Sequence, residues 1–232
     1  MFTHSSQIYD KIYSFKDYEE ASRRIVALTQ RQVPQARSLL DVGCGTGKHL
    51  FHLQDSFDVE GLDLDAGLIE VARTNCPEVV FTLADMTDFA LPRRFDVVTC
   101  LFSAIGYVKT KDGLRKALER LAHHTAPGGL VLVEPWFTPE QFWTGHITAN
   151  FHDEPDLKIA WMYTSRAEED VSILDIHYMV GTPDSVSEFE ERHEIGLFTE
   201  AEYEGAFENA GLKVSFDRTG LFKRGLYIGR KP

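Results

Sequence analysis

Three glycines and three carboxylates carry the most suggestive chemistry in this sequence. The stretch "LLDVGCGTGKHL", residues 39 to 50, runs an apolar segment into Asp41 and then sets Gly43, Gly45 and Gly47 at alternate positions. Glycines so spaced clear side chains from a turn and let a ligand approach the backbone. A strand that passes through such a turn into a helix aims N–H groups and a positive helix end at the carboxyl edge of a sheet, where a polar ligand belongs. A dinucleotide is the usual occupant, but its fingerprint is GxGxxG, and Lys48 stands where the third glycine should be. Asp41 would repel a pyrophosphate and attract an ammonium or sulfonium. Asp63 follows Gly43 by 20 residues, at the end of the next strand, the position from which an acid accepts hydrogen bonds from both ribose hydroxyls. Asp85 ends the strand after that. Singly, each has an ordinary reading as a turn glycine or a helix cap. Jointly they describe a pocket for a nucleoside that carries positive charge and no phosphate.

Alternating strands and helices must position these groups. Apolar residues Tyr18, Ala21, Ile25 and Leu28 fall at helical spacing from Asp17 to about Gln32, and Pro34 ends the run. "SLLDV" reads as a buried strand, followed by the glycine turn and a helix from about Gly47 to Gln54. Strands at "DVEGLD", "VVFTLAD" and "FDVVTCLF" and a helix at "AGLIEVARTN" continue the alternation. Leu114, Ala117, Leu118 and Leu121 draw a further helix that Pro127, Gly128 and Gly129 are expected to stop, and "LVLVEPW" is a fifth strand. Short, almost wholly apolar strands belong to a parallel sheet covered by helices on both faces. Residues 136–198 break the pattern: Leu174, Ile176, Tyr178 and Val180 alternate with Asp175, His177 and Met179, as in an antiparallel β insertion. Insertions at the carboxyl ends of parallel strands cover ligand sites in such folds. "TEAEYEGAFENAG" restores a helix, with Thr199 and Glu202 as a capping box and Gly211 as its stop, before two closing strands. The expected architecture is a single α/β domain over 1–232: a Rossmann-like, mostly parallel sheet with a terminal antiparallel strand, and a β insertion after the fifth strand.

The totals narrow the partners. With 232 residues, one domain is the expectation. A formal charge of -12, without a dense basic run, argues against nucleic acid and for a small-molecule acceptor. Cys44, Cys76 and Cys100 are widely spaced in apolar surroundings, which suits reduced thiols. No basic-then-apolar leader and no membrane-length apolar run are present, so a cytoplasmic location and no membrane contact are expected. His49 with His52 and His123 with His124 lack a converging third ligand, so no metal is expected. A homodimer is left open.

S-adenosylmethionine (SAM) is a cationic nucleoside without phosphate, and "LLDVGCGTG" resembles the first motif of class I SAM-dependent methyltransferases. Outside that motif, "IYDKIYSFKDY", "EGLDLD", "ADMTDF", "RRFDVVTCLFSAIGYV", "PGGLVLVEPWF", "HEIGLFTEAEYEGAFENAGL" and "RGLY" resemble the amino-sugar N,N-dimethyltransferases that act on TDP-linked sugars, over nearly the whole chain. The resemblance implies that Tyr18 reaches the methionine end of the cofactor, Asp63 the ribose, and Asp85 with Met86 the adenine, while Leu101 and Phe102 form the floor. With the motif residues, the expected cofactor set is Tyr18, Asp41, Gly43, Cys44, Gly45, Gly47, His49, Asp63, Leu64, Asp85, Met86, Leu101 and Phe102. Arg224 keeps a family arginine that approaches the diphosphate. Two departures concern the acceptor: Tyr107 stands where the sugar enzymes have a histidine near the amine, and an upstream tyrosine has no counterpart before Tyr9.

Methyl transfer from a sulfonium is an in-line displacement that needs an unprotonated acceptor held close to the methyl carbon. Tyr107, following the fourth strand, is the first candidate for contact with the acceptor, and His193 the second; His177 matches a family histidine too. Glu134, Trp136 and Phe137, after the fifth strand, are candidates for the acceptor wall, with Trp136, Phe137 and Arg224 as the expected substrate contacts. The function expected is methylation of a small molecule, the favoured acceptor an amine of a nucleotide-linked sugar. Other small amines, hydroxyls or carboxylates, and a SAM- or S-adenosylhomocysteine-binding protein without turnover, are the alternatives. A diphosphate needs compensating bases in so acidic a chain, and Arg166, Arg192, Lys223 and Arg224 are the candidates.

Overall fold

The computed structural model describes residues 4–232. A short 3-10 turn (Ser6–Ile8) and a one-turn helix α1 (Tyr9–Ile12) precede α2 (Tyr18–Gln32), at whose start the Asp17 side chain accepts from the Glu20 amide. Then come β1 (Ser38–Val42), α3 (Lys48–Leu53), β2 (Asp58–Asp63), α4 (Ala66–Asn75), β3 (Val80–Leu83) and β4 (Phe95–Cys100). A second 3-10 turn (Ala104–Val108) leads to α5 (Lys111–His123) and β5 (Thr125–Val133). Four long strands follow: β6 (Ile147–Glu154), β7 (Leu157–Glu168), β8 (Val171–Gly181) and β9 (Val186–Gly196). Helix α6 (Glu200–Asn209), β10 (Lys213–Asp217) and β11 (Leu226–Arg230) end the chain.

The main sheet has the order β10-β11-β5-β4-β1-β2-β3. β1 to β5 run parallel, and β11 is antiparallel to both β5 and β10. The expected terminal antiparallel strand is thus last in sequence but lies inside the sheet. Both faces are buried, which is why β1 sets apolar side chains at successive positions, Leu39 and Leu40, rather than alternating them with polar ones. Leu39 packs toward α2, α3 and α4 through Ile25, Leu50, Leu53 and Ile69, while Leu40 and Val42 pack toward α5 and α6 through Leu114, Leu118, Leu121 and Phe207. Each such fully buried aliphatic contributes about 1.5–3 kcal/mol from its removal from water. The stop expected at Pro127–Gly129 falls elsewhere. α5 ends at His123, the Thr125 hydroxyl donates to the Leu121 carbonyl at 2.8 Å, and Pro127, Gly128 and Gly129 lie within β5, where the register against β4 shifts. Thr199 and Glu202 do form the reciprocal cap of α6.

The four strands β6 to β9 make a separate antiparallel sheet in sequence order. Its inner face carries Ile159, Trp161, Leu174, Ile176, Tyr178 and Ile195, which pack with Ile12 of α1. Asp175, His177 and Met179 point the other way, as the alternation in β8 requires. Among the described residues no helix is long and apolar enough to cross a membrane.

Candidate active site

The glycine turn bends because its backbone is left-handed three times, with φ of +75°, +55° and +75° at Gly43, Gly45 and Gly47. The reasons for glycine differ at each position. A Cβ on Gly43 would stand 2.6 Å from that of Ala104, so protein, not ligand, excludes a side chain there. At Gly45 a Cβ would meet nothing within 4 Å, so this is where the turn opens onto space. Gly47 caps α3 and does not line the cavity described below. The amides expected to face a ligand are already engaged: Gly43 N and Cys44 N donate to the Leu62 carbonyl at 2.7 and 3.0 Å, and Gly45 N to Asp63 Oδ2 at 2.8 Å. Lys48, the cation nearest in sequence, is paired with Asp10 at 3.2 Å. A phosphate cradle is therefore not what this turn builds.

One cavity of about 720 Å³ runs from the turn to the inner face of the β6–β9 sheet. On the turn side it is lined by Tyr18, Asp41, Gly43, Cys44, Gly45, His49, Asp63, Leu64, Asp85, Met86, Leu101 and Phe102. The parallel register of β1 with β2 and β4 brings Asp41 beside Gly61 and Thr99, and the Thr99 hydroxyl donates to Asp41 Oδ1 at 2.7 Å. Burial pushes the Asp41 carboxyl up to about 7, the hydrogen bond from Thr99 opposing it only in part. Asp63 is raised by burial too, against the amide bonds from Asp65 and Gly45. Asp85 accepts from the Thr87 amide and hydroxyl, both at 2.7 Å, so it holds its own turn as well as facing the cavity. His49 stacks edge-on against Tyr18, and burial drives its imidazole down to about 3, keeping it neutral.

The N-terminal segment closes the cavity over these groups. Asp10 accepts from the Thr46 hydroxyl at 2.6 Å and from Asn75 at 3.2 Å, which fastens α1 to the glycine turn and brings Tyr9 and Tyr13 to the cavity wall. Lys16 follows, its ammonium on the Phe102 ring and 4.7 Å from the centre of Phe222. Its Nζ has no hydrogen-bond partner among the described residues. Burial, then the nearby Arg224 charge, lowers it to about 6. Arg224 donates to Ser103 Oγ at 3.0 Å and lies 4.8 Å from the Trp136 ring and 5.2 Å from that of Phe137. Lys16 was not among the residues that sequence spacing singled out, because a lysine next to a helix cap carries no signal of burial. Trp136 lines the cavity, whereas Phe137 lies behind it against Arg224 and Trp143. Glu134 is fully buried and accepts from the Phe102 amide at 2.7 Å, which shapes the floor from behind.

The roof is the inner face of the β6–β9 sheet, with Trp161, Tyr163, Leu174, Ile176, Tyr178, His193 and Ile195 on the cavity. Tyr107, on the 3-10 turn after β4, meets His193 there, hydroxyl oxygen to Nδ1 at 2.8 Å. His177 is on the opposite, exposed face near Glu190 and is outside the site. Arg166 and Arg192 converge on Asp175 on that same outer face, so they are not available to a diphosphate, and Lys223 is exposed. The bases that do face the cavity are Lys16, Lys48, Lys109, Lys116 and Arg224, of which Lys48, Lys109 and Lys116 hold carboxylates.

Comparison with known proteins agrees with this geometry. Residues 39–129 match the model of a methyltransferase domain. The chain is 43% identical over 228 residues to the dTDP-3-amino-3,6-dideoxy-alpha-D-glucopyranose N,N-dimethyltransferase of Streptomyces fradiae, covering 97% of this chain and 89% of that one. The crystal structure of DesVI from Streptomyces venezuelae superposes with a TM-score of 0.94 at 37% identity, over 99% of both chains. The SAM-bound amino pentose methyltransferase CalS10 of Micromonospora echinaspora superposes with a TM-score of 0.89 at 32% identity, over 97% of both. The turn, the acid-lined cleft and these likenesses along almost the whole length lead to one conclusion: the chain belongs to the family of the dTDP-amino-sugar N,N-dimethyltransferases and is a SAM-dependent methyltransferase.

Proposed function

We propose that the chain methylates the amino group of a nucleotide-linked amino sugar, with the glycine-turn end of the cavity holding the cofactor and the roofed end holding the acceptor. The observation that carries the acceptor assignment is the placement of Lys16 and Arg224. In a protein of charge -12, two cations are drawn together in an aromatic wall of the cavity, one of them without a hydrogen-bond partner among the described residues. Glu134 interacts with both groups but offers one negative charge, and Lys16 gives up its proton at about 6; a diphosphate brings the further negative charge that would hold Lys16 as an ammonium beside Arg224. The dTDP-amino sugars on which the relatives act carry such a group.

The residues at the other end fit SAM. The space in front of Gly45 admits a ligand where any larger residue would project, and Asp41, Asp63 and Asp85 favour a cation while leaving no free amide cluster or unpaired lysine at the turn for a phosphate. In this reading Asp63 accepts from the ribose hydroxyls, Asp85 and Met86 hold the base, Leu101 and Phe102 floor the cleft, and Tyr18 with His49 borders the methionine end. When bound, SAM supplies an electrophilic methyl group on a sulfonium sulfur. The chain's part is positional: the roof excludes water, the cation pair anchors the nucleotide, and the amine is held in line, which replaces a bimolecular encounter with an oriented one. Residues 136–198 act as the acceptor cover.

The test is mass spectrometry of the products from SAM with dTDP-amino sugars and with a panel of unlinked amines, paired with calorimetry of dTDP on the protein loaded with S-adenosylhomocysteine. Methylation of a dTDP-amino sugar, and loss of dTDP affinity by roughly tenfold or more in Lys16→Met and Arg224→Met, are expected. Turnover of unlinked amines alone, with no dTDP binding, would overturn the nucleotide assignment.

A further inference from the structure

Three protonatable side chains form a line leading away from the cavity. The Tyr107 hydroxyl lines the cavity and lies 2.8 Å from Nδ1 of His193. On the far side of the ring, Nε2 faces the Glu191 carboxylate at 3.8 Å, a distance for an ion pair rather than a direct hydrogen bond. Glu191 is two residues earlier on the same face of β9 and is buried. It accepts from Ser5 Oγ at 2.5 Å, Ser5 N at 3.0 Å and His4 N at 2.6 Å. Burial opposes its charge, but His193 and these donors outweigh burial and hold the carboxyl down at about 2. An ionised carboxylate attracts the N–H that faces it, so a singly protonated His193 ring carries its proton on Nε2 and leaves Nδ1 to accept from the Tyr107 hydroxyl. The line therefore has a direction, from the cavity toward Glu191.

Methyl transfer to a neutral amine leaves an alkylammonium, whose lone pair is used up; a second methyl cannot be accepted until a proton leaves. Burial raises the Tyr107 phenol well above its ordinary value, so the group does not rest as a phenolate and can take a proton only while giving one away. We propose that Tyr107, His193 and Glu191 form a relay that removes this proton between methylations. The ammonium N–H bond breaks as a new Tyr107 O–H bond forms, the original phenol proton passes to His193 Nδ1, and the imidazolium rests opposite the Glu191 carboxylate. The amine recovers its lone pair, no electron is exchanged, and His193 releases the proton to solvent when product leaves. Tyr107 is the catalytic residue; His193 stores the proton, and Glu191 positions the ring. The inference rests on an amine acceptor, though not on the nucleotide.

Two measurements test it. Spectra of the full chain labelled with 15N-histidine are expected to show His193 as the Nε2–H tautomer, with its Nδ1 resonance moving in Tyr107→Phe. With whichever amine the panel identifies, His193→Gln should lower kcat by roughly a hundredfold near neutral pH, with less loss in alkali where the amine sheds its own proton, and should leave KM little changed. It should also raise the share of monomethylated product. Tyr9 from α1, Tyr13 just after it, Tyr178 from β8 and Asp63 from β2 also face the phenol, so the pH profile is read as the difference between variant and parent. Tyr107→Phe, which keeps the ring, makes the same comparison if the histidine variant does not fold. An Nδ1–H tautomer, or unchanged kcat and product ratio in both variants, would overturn the relay, as would methylation of hydroxyls or carboxylates only. A His193-dependent reaction on an unlinked amine would leave the relay standing and remove the nucleotide.

Discussion

Asp41 makes the affinity for a cationic ligand depend on pH in a way that can be worked out beforehand. Burial pushes its carboxyl up to about 7, against the hydrogen bond that Thr99 donates. A sulfonium or ammonium in the cavity favours the ionised form, so binding must first remove whatever proton is present. With a midpoint near 7, the ionised fraction rises from about a tenth at about pH 6 to about nine tenths at about pH 8. SAM should therefore bind about tenfold more tightly at the higher pH, or about 1.4 kcal/mol. His49, held down at about 3, stays neutral throughout. Lys16 and the ligand's own amino group titrate nearby, but they do so in Asp41→Asn as well, so the difference between the two proteins isolates Asp41. Calorimetry in buffers of different ionisation heat should detect more proton release at about pH 6 in the parent than in Asp41→Asn, and S-adenosylhomocysteine, without the sulfonium, should gain less. Equal pH dependence in parent and Asp41→Asn would refute the reasoning. For the empty protein the sign is opposite: the folded state holds this proton more tightly than the unfolded chain, so the group's stabilisation is full at low pH and is lost as pH rises from about 4 to about 7.

Other expectations concern single positions. Gly43→Ala should unfold at lower temperature, losing about 1–3 kcal/mol to the collision with Ala104, because the interior there has no room. Gly45→Ala should cost only the left-handed strain, about 1–2 kcal/mol, yet weaken S-adenosylhomocysteine binding measured by calorimetry. Asp63→Ala should weaken the same binding by about 1–3 kcal/mol, since it removes the acceptor for Gly45 N and the groups expected to meet the ribose. Thr199→Ala should lower stability to denaturant by about 1 kcal/mol without altering ligand affinity, as the α6 cap is remote from the cavity.

Local order was readable where one physical signal dominated. β1, β2 and α4 occupy the stretches that the pattern marked, the strands because consecutive or closely spaced apolar residues run up to the glycine turn or to Asp63, the helix because Asp65 caps it and its apolar residues fall at helical spacing. The end of α5 was not, because proline and glycine serve a shifted register in β5 as readily as a helix stop. In the site, the acids and the open glycine were visible as a pattern after strands. Lys16, Ser5 and Glu191 were not: their roles depend on partners far along the chain, and a lysine or glutamate in a polar stretch looks solvated until the fold surrounds it. Arg166 and Arg192 show the converse, since strand alternation turns them to the outer face, where Asp175 occupies both.

The strap that crosses the cavity has a consequence for how the enzyme is made. Ser5 and Glu191 are 186 residues apart, while Asp10 holds Thr46 only 36 residues on. One end of the strap can thus be fastened as soon as the glycine turn has formed and the other only after β9 has emerged, so the chamber cannot be sealed before the strands that roof it exist.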